Sequence, residues 1–196
     1  MENELLIQGC IRNDAASQRE LYNRYSPVLL SICYRYGNTR ADAEDMLQES
    51  FVKIFTHLHT FKHEGNFEGW LKRITIFTCI NFLKKHKRFA EVGDLEMANE
   101  VAAKESNIPL LMQAKQVVES IKLLPVGFRT ILNLYAIEGY SHREIAEMLD
   151  IEESTSRSQY SRAKTYLENI LIKRRIIEPN SSTVVPKWTA IVKPTN

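Results

Sequence analysis

Ser156, Tyr160, Ala163 and Leu167 recur at i, i+4, i+7 and i+11, which places them on one face of an α-helix. The opposite side offers Ser158, Ser161, Arg162 and Thr165, flanked by Arg157 and Lys164. Short hydroxyls let a helix approach a groove of duplex DNA, and guanidiniums reach guanine edges or phosphates. The residues just upstream have the composition needed to hold such a helix. Ser141-x-x-Glu144 is a capping box, with Tyr140 and Ile145 placed for a hydrophobic staple around it. Ile145, Ala146 and Leu149 should face inward, and Ala146 is small enough for a close helix crossing. Asp150-Ile151-Glu152-Glu153 is the turn, with Ile151 as an apolar plug, and a second helix should begin near Ser154. A basic first turn would also aim backbone N–H groups at phosphate. Tyr140 to Leu167 therefore reads as a helix-turn-helix. A helical hairpin with a solvated polar face would share the charges, but the cap, the small Ala and the plug together favour DNA reading.

A second group of residues points to nucleic acid. From Trp70 to Arg88 the chain carries Lys72, Arg73, Lys84, Lys85, Lys87 and Arg88 and no acid, interleaved with Trp70, Phe77 and Phe82. Aromatic platforms for unstacked bases and cations for the backbone are what single-stranded DNA binding needs. The spacing of Trp70, Ile74 and Phe77 equally suits a core stripe, and for Trp70 and Ile74 the core is the expectation. Arg157, Arg162, Lys164, Lys173, Arg174 and Arg175 form a second basic run, with Glu168 among them. Phe89 to Pro109 is instead acidic, with Glu91, Asp94, Glu96, Glu100 and Glu105 against Lys104. The net charge of +2 hides this basic, acidic, basic order. Two separate phosphate-binding footprints follow from it.

Other chemistries fit poorly. His57, His59 and His63 near Asp42, Glu44, Asp45 and Glu49 could suggest a metal-dependent nuclease. His57 and His59 do not share a helix face, however, and no metal-ligand spacing of known type occurs. Neither catalytic residues, a metal nor another cofactor is expected. The cysteines Cys10, Cys33 and Cys79 are far apart and odd in number, so they read as small buried hydrophobes. No apolar run approaches the roughly 20 residues of a membrane span, and the start MENELLIQGC does not resemble a signal peptide. A cytoplasmic protein is expected.

The elements that must position these residues are all helical, since no sustained period-2 alternation occurs. A short helix around Leu5–Ile7 should end near Asn13-Asp14. A second should run from about Ala16 to Tyr36, with Leu21, Tyr25, Val28, Leu29, Ile32 and Tyr36 at helical spacing, bent or split at Pro27 and ended by Gly37-Asn38. Thr39-x-x-Asp42 should open a third, whose apolar side is Met46, Leu47, Val52, Ile54, Phe55 and Leu58. A loop at Phe61–Gly65 precedes a fourth helix from about Phe67 to His86. Helices from about Met112 to Lys122 and Val126 to Glu138 precede the helix-turn-helix, with Pro125 in the first turn of the latter. The fold class is thus all-α, two small helical domains joined by a flexible acidic linker. The expected boundaries are 1–88, a linker at 89–111, a helix-turn-helix domain at 112–175, and a disordered tail at 176–196.

Three segments, in order, resemble one family. Ala41 to Lys53 resembles the core-polymerase-binding helix of extracytoplasmic function sigma factors of bacterial RNA polymerase. Phe67 to Ile74 resembles the start of their promoter-melting helix, and Leu124-Pro125 with Gly139 to Ala163 resembles their promoter-reading domain. The likeness covers about residues 5–172.

The resemblance implies a protein that is not an enzyme and takes no small-molecule substrate. Such a protein binds the polymerase core, directs it to promoters and helps open the minus-ten region. Asp42, Asp45, Gln48, Glu49 and Lys53 would dock on the beta-prime clamp helices, with the beta flap as a further contact. Arg73, Asn81, Lys84, Lys85, Lys87 and Arg88 would meet minus-ten DNA. Ser154, Thr155, Arg157, Ser158, Ser161, Arg162 and Lys164 would meet the minus-thirty-five element. The acidic linker would thread the polymerase's positively charged nucleic-acid channel, and an anti-sigma factor would hold the free protein. The alternative is a helix-turn-helix regulator that acts without polymerase core. The chain departs from the family pattern at Phe77 and Asn81, where Asn and Asp are frequent. It departs also at Asp150, a common turn Gly, at Ser156 and Tyr160, commonly aliphatic, and at Gln159, commonly basic.

Overall fold

Side-chain caps set several of the helix starts. The computed structural model describes residues 2–62, 65–86 and 110–178, and among these every regular element is helical. Helix α1 spans Glu2–Ile11. Asp14 accepts from Ser17 N at 2.8 Å and opens α2, Ala15–Tyr36. Thr39 Oγ1 accepts from Asp42 N at 3.0 Å, and Asp42 Oδ2 accepts from Thr39 N at 3.1 Å, the reciprocal cap of α3, Arg40–His57. These bonds satisfy N–H groups that a helix cannot pair internally. A 3-10 turn at Leu58–Thr60 follows, and Asn66 caps α4, Phe67–Lys85.

Pro27 does not split α2, which runs helical through it. Pro27 and Asn23, whose carbonyl loses its helical partner, both lie on the exposed flank, while Tyr25 and Leu29 on either side are buried. Gly37 ends the helix in extended backbone (φ −69°), not in the left-handed region. Its role is close approach: a Cβ there would sit 3.2 Å from Ala43 N, Asp42 Cβ and Thr39 O.

Helices α2, α3 and α4 each pack on the other two, and α1 packs on α2. Leu21, Leu29, Met46, Ile54, Leu71 and Leu83 lie in their shared core. All three cysteines are free and buried, as expected, with Cys79 Sγ 3.9 Å from Cys33 Sγ. Val28 and Val52 stay outside this core; Val52 is 65% exposed.

The chain divides into two compact units, Met1–His86 and Lys87–Asn196. The second contains α5 (Leu110–Lys122), α6 (Val126–Leu132), α7 (His142–Leu149) and α8 (Glu153–Lys173). Pro125 stands just before α6 and accepts from Arg129 N at 2.9 Å. The single helix expected over Val126 to Glu138 instead widens after Leu132 into a π turn, Asn133–Ile137, where Glu138 N donates to Asn133 O at 2.9 Å. Gly139 (φ +82°) then turns the chain toward α7, a conformation that favours glycine.

Val117, Ile121, Leu124, Phe128, Leu132, Ala163, Leu167 and Leu171 form the core of this unit. Ile176 and Ile177, expected in the tail, pack against it. Arg129, 1% exposed, donates Nη1 to Lys122 O at 3.1 Å, and Arg174 Nη1 donates to Ser120 Oγ at 2.9 Å. These two guanidiniums tie the ends of α5 and α8 to their own domain. The acidic segment 89–109 and residues 179–196 lie outside the described residues.

Candidate nucleic-acid interface

The helix-turn-helix is built as its sequence dictates. Ser141 Oγ accepts from Glu144 N at 3.3 Å, and Glu144 Oε2 accepts from Ser141 N at 2.8 Å, which fixes the start of α7. Ile145, Ala146 and Leu149 are buried. Asp150 takes the left-handed conformation (φ 58°, ψ 53°) in the turn, and Ile151 N donates to Ala146 O at 3.1 Å. Asp is among the residues that tolerate this region best. Helix α8 then buries Ser156, Ala163, Leu167 and Leu171.

That burial leaves the predicted face free. Arg157, Ser158, Ser161, Arg162 and Thr165 are exposed, and so is Ser154; Thr155 and Lys164 are half-buried. Several are locally engaged. Ser158 Oγ donates to Thr155 O at 3.0 Å, Lys164 Nζ lies 5.2 Å from the Tyr160 ring centroid, and Arg157 pairs with Glu153. The first turn of α8 is not basic, because the helix begins one residue earlier than expected and Glu153 occupies it. An acid there complements the helix dipole and competes for the anion-binding end.

On α4 the expectation for Trp70 and Ile74 is corrected. Both are half-buried, as is Phe77, while Phe67, Leu71, Thr75, Thr78, Cys79 and Phe82 form the buried side. The helix is apolar on more than one side, so spacing alone cannot select the buried one. Phe61, Phe67 and Trp70 meet with ring centroids 5.1–6.0 Å apart. The exposed Arg73 guanidinium stands 5.9 Å from the Phe77 ring centroid. Asn81, Lys84 and Lys85 continue the exposed side to the helix end. Lys72 pairs with Glu68 at 2.6 Å. An aromatic-aliphatic stripe thus borders cations along α4. Lys87 and Arg88 lie outside the described residues.

On α3, Asp45, Gln48 and Glu49 are exposed together and Lys53 is half-buried. Asp42 differs from them. It is buried, and its carboxylate accepts from Asn38 N at 3.0 Å and Thr39 N at 3.1 Å. Its chemistry is spent on the cap. Val52, expected on the apolar inner side, instead extends the exposed strip one turn beyond Gln48 and Glu49. Among the described residues no group of His, Cys, Asp and Glu side chains is arranged to hold a metal ion, and no helix is long and apolar enough to cross a membrane.

Residues 21–89 match Sigma-70 region 2, and residues 114–167 match Sigma-70 region 4, between them more than half of the chain. The chain belongs to the extracytoplasmic function sigma factors. Similar full-length relatives include the ECF RNA polymerase sigma-E factor of Haemophilus influenzae, 27% identical over 86% of this chain and 95% of the relative. The sigma-E factor of Salmonella typhimurium is 29% identical over 86% of this chain and 94% of the relative. The sigma factor RpoE of Bartonella quintana, solved with the anti-sigma factor NepR, is 18% identical, with a TM-score of 0.49 over 78% of this chain and 95% of that one. In this sigma factor region 2 takes in α2 from Leu21 onward with α3 and α4, and region 4 takes in most of α5 and all of α6 and α7 with α8 as far as Leu167.

Sequence reasoning missed one grouping in region 4. His142, Tyr135, Tyr160 and Ser156 converge from α7, the π turn and α8. The available signal was the pair Ser156 and Tyr160, two side chains with hydroxyls one helical turn apart on the inward face of α8.

Proposed function

We propose that the exposed side of α8 reads the minus-thirty-five element while α4 holds the opened strand at minus ten. The carrying observation is that burial of Ser156, Ala163 and Leu167 turns Ser158, Ser161 and Arg162 to solvent on a capped, two-helix frame. Arg162 contacts base edges or phosphate; Arg157, Ser154, Thr155 and Lys164 support it along the backbone. On α4, Arg73, Asn81, Lys84 and Lys85 hold the displaced strand, with Lys87 and Arg88 continuing the basic run. Phe77 offers an unstacked base a ring beside a cation.

Asp45, Gln48, Glu49 and Lys53 dock on the beta-prime clamp helices of the core, and Asp42 serves that surface by fixing the start of α3. The beta flap meets region 4, and the acidic segment 89–109 follows the basic nucleic-acid channel of the polymerase. The protein acts in the cytoplasm and catalyses nothing itself. An anti-sigma factor sequesters it when it is not engaged. The test is assembly of the full chain with core polymerase, followed by retention of duplex fragments from a random pool. Enrichment of fragments sharing two elements at fixed spacing supports the reading; retention no different from core alone overturns it.

A further inference from the structure

Three elements of region 4 meet at one imidazole. His142 is the first residue of α7. Its ring stacks on Tyr135 of the π turn, with centroids 4.2 Å apart and planes at 12°. Tyr160 of α8 closes the group, its centroid 5.7 Å from His142 and 4.5 Å from Tyr135. His142 Nδ1 lies 2.9 Å from Ser156 Oγ, and Ser156 is fully buried in the first turn of α8. A buried hydroxyl loses stability when its partner is removed, so the pair constrains both helices. The polar Ser156 and the aromatic Tyr160, one helical turn apart on α8, share one partner: each contacts His142.

We propose that His142 is a positioning residue for promoter reading: as a neutral ring it fixes the start of α8 against α7 and the π turn, and protonating it weakens duplex recognition. The proposal rests on α8 being the reading helix. With the neutral ring's proton on Nε2, Nδ1 accepts from the Ser156 hydroxyl; in the imidazolium Nδ1 can only donate, so the buried hydroxyl must swing its own proton off the ring and lose that acceptor. The groups around the ring are known. From α8 come Arg157 and Glu153, paired with each other, and Tyr160, whose ring Lys164 approaches; from the π turn comes Tyr135. On α7 itself Arg143 pairs with Glu147 at 3.4 Å, and Glu144 is spent on the cap. Burial and the Arg157 charge both disfavour the imidazolium, against a weaker pull from Glu153, and hold the ring below its ordinary pKa.

The test uses the full chain in holoenzyme with bacterial core polymerase, and a duplex fragment enriched from a random pool by the wild type. Affinity is measured from pH 7.5 to 5.5 for wild type, His142→Phe, His142→Asn and Arg162→Ala, with helicity checked by circular dichroism. His142→Phe keeps a ring against Tyr135 but cannot bond Ser156. It should bind about fivefold more weakly at pH 7.5, the size of one buried hydrogen bond, and lose less affinity on acidification than wild type. His142→Asn restores a side-chain partner for Ser156 and should recover affinity to within about twofold while staying insensitive to acid. Should His142→Phe lose helicity, Ser156→Ala replaces it with the same expected weakening. Wild-type affinity and an unchanged pH profile in His142→Phe, with Arg162→Ala impaired, would overturn the role of His142 alone. An unimpaired Arg162→Ala would instead strike the assignment of α8, and the positioning role with it.

Discussion

Arg162 stands on the open face of α8, one residue from the fully buried Ala163. A single helical step thus separates a core contact from the proposed DNA contact. Replacing Arg162 with Ala should cost about 1–3 kcal/mol of discrimination between cognate and scrambled minus-thirty-five duplexes if it makes a bidentate base contact. Competition binding in holoenzyme reads this directly; equal discrimination by mutant and wild type contradicts it. Ser141 acts locally instead, through its cap on Glu144 N. Ser141→Ala should lower stability by about 1 kcal/mol, read as an earlier midpoint in urea melts of the whole chain. Asp14 gives a pH signature. Its bonds from Ser17 hold the carboxyl below the usual carboxylate range. A depressed folded-state value means stability that is fully present above the ordinary carboxylate range and is lost as pH falls below that range, through the folded-state value. Asp14→Asn should flatten the acid limb of a stability-against-pH curve, and an unchanged limb would contradict the cap's role. The residue scale was also the most legible in sequence. Ser141–Glu144 and Thr39–Asp42 were readable because a capping box is a local pattern of fixed spacing. The His142–Ser156 bond joins residues 14 apart across a turn, and no local pattern encodes it.

Helix faces were legible where one side only is apolar. On α8, Ser156, Ala163 and Leu167 are fully buried and the serines and arginines opposite are exposed, as their spacing predicts. On α4, residues with apolar side chains surround the axis, so Trp70 and Ile74, expected in the core, prove half-buried. On α3 Ile54 is buried as expected, but Val52 is exposed, and Ser50 and Phe51 are buried in its stead. The π turn escaped because nothing in the sequence Asn133 to Ile137 distinguishes it from α-helix. Two predictions belong to this scale. If Lys84 and Lys85 both contact single-strand phosphates, replacing both with Ala should reduce the salt slope of open-complex formation by about 1.4. An unchanged slope in a titration from low to moderate salt would exclude the contact. Charge reversal at Glu49, exposed on α3, should weaken assembly with core polymerase while leaving helicity intact. Assembly at wild-type protein concentration, followed by native electrophoresis, would count against α3 as the docking face.

The whole molecule combines two helical units whose proposed DNA-facing helices carry opposite solutions to one problem. Region 2 sets aromatic and basic side chains together, suited to separated strands. Region 4 sets short hydroxyls and guanidiniums on a slim helix, suited to a closed groove. Neither specifies an initiation factor alone: a helix-turn-helix touches DNA, and a basic helix binds strands. Their order along one chain, behind the exposed acidic face of α3, gives a sigma factor. The acidic stretch between them keeps the net charge at +2 despite two basic surfaces, which limits indiscriminate attraction to DNA. The decisive measurement is transcription in vitro from a fragment library, with bacterial core polymerase and the purified full chain. New start sites should appear that depend on the chain, share a spaced pair of elements, and are lost with Arg162→Ala or with Lys84→Ala and Lys85→Ala together. A folded chain that assembles with core and yet stimulates initiation from no fragment would contradict that expectation.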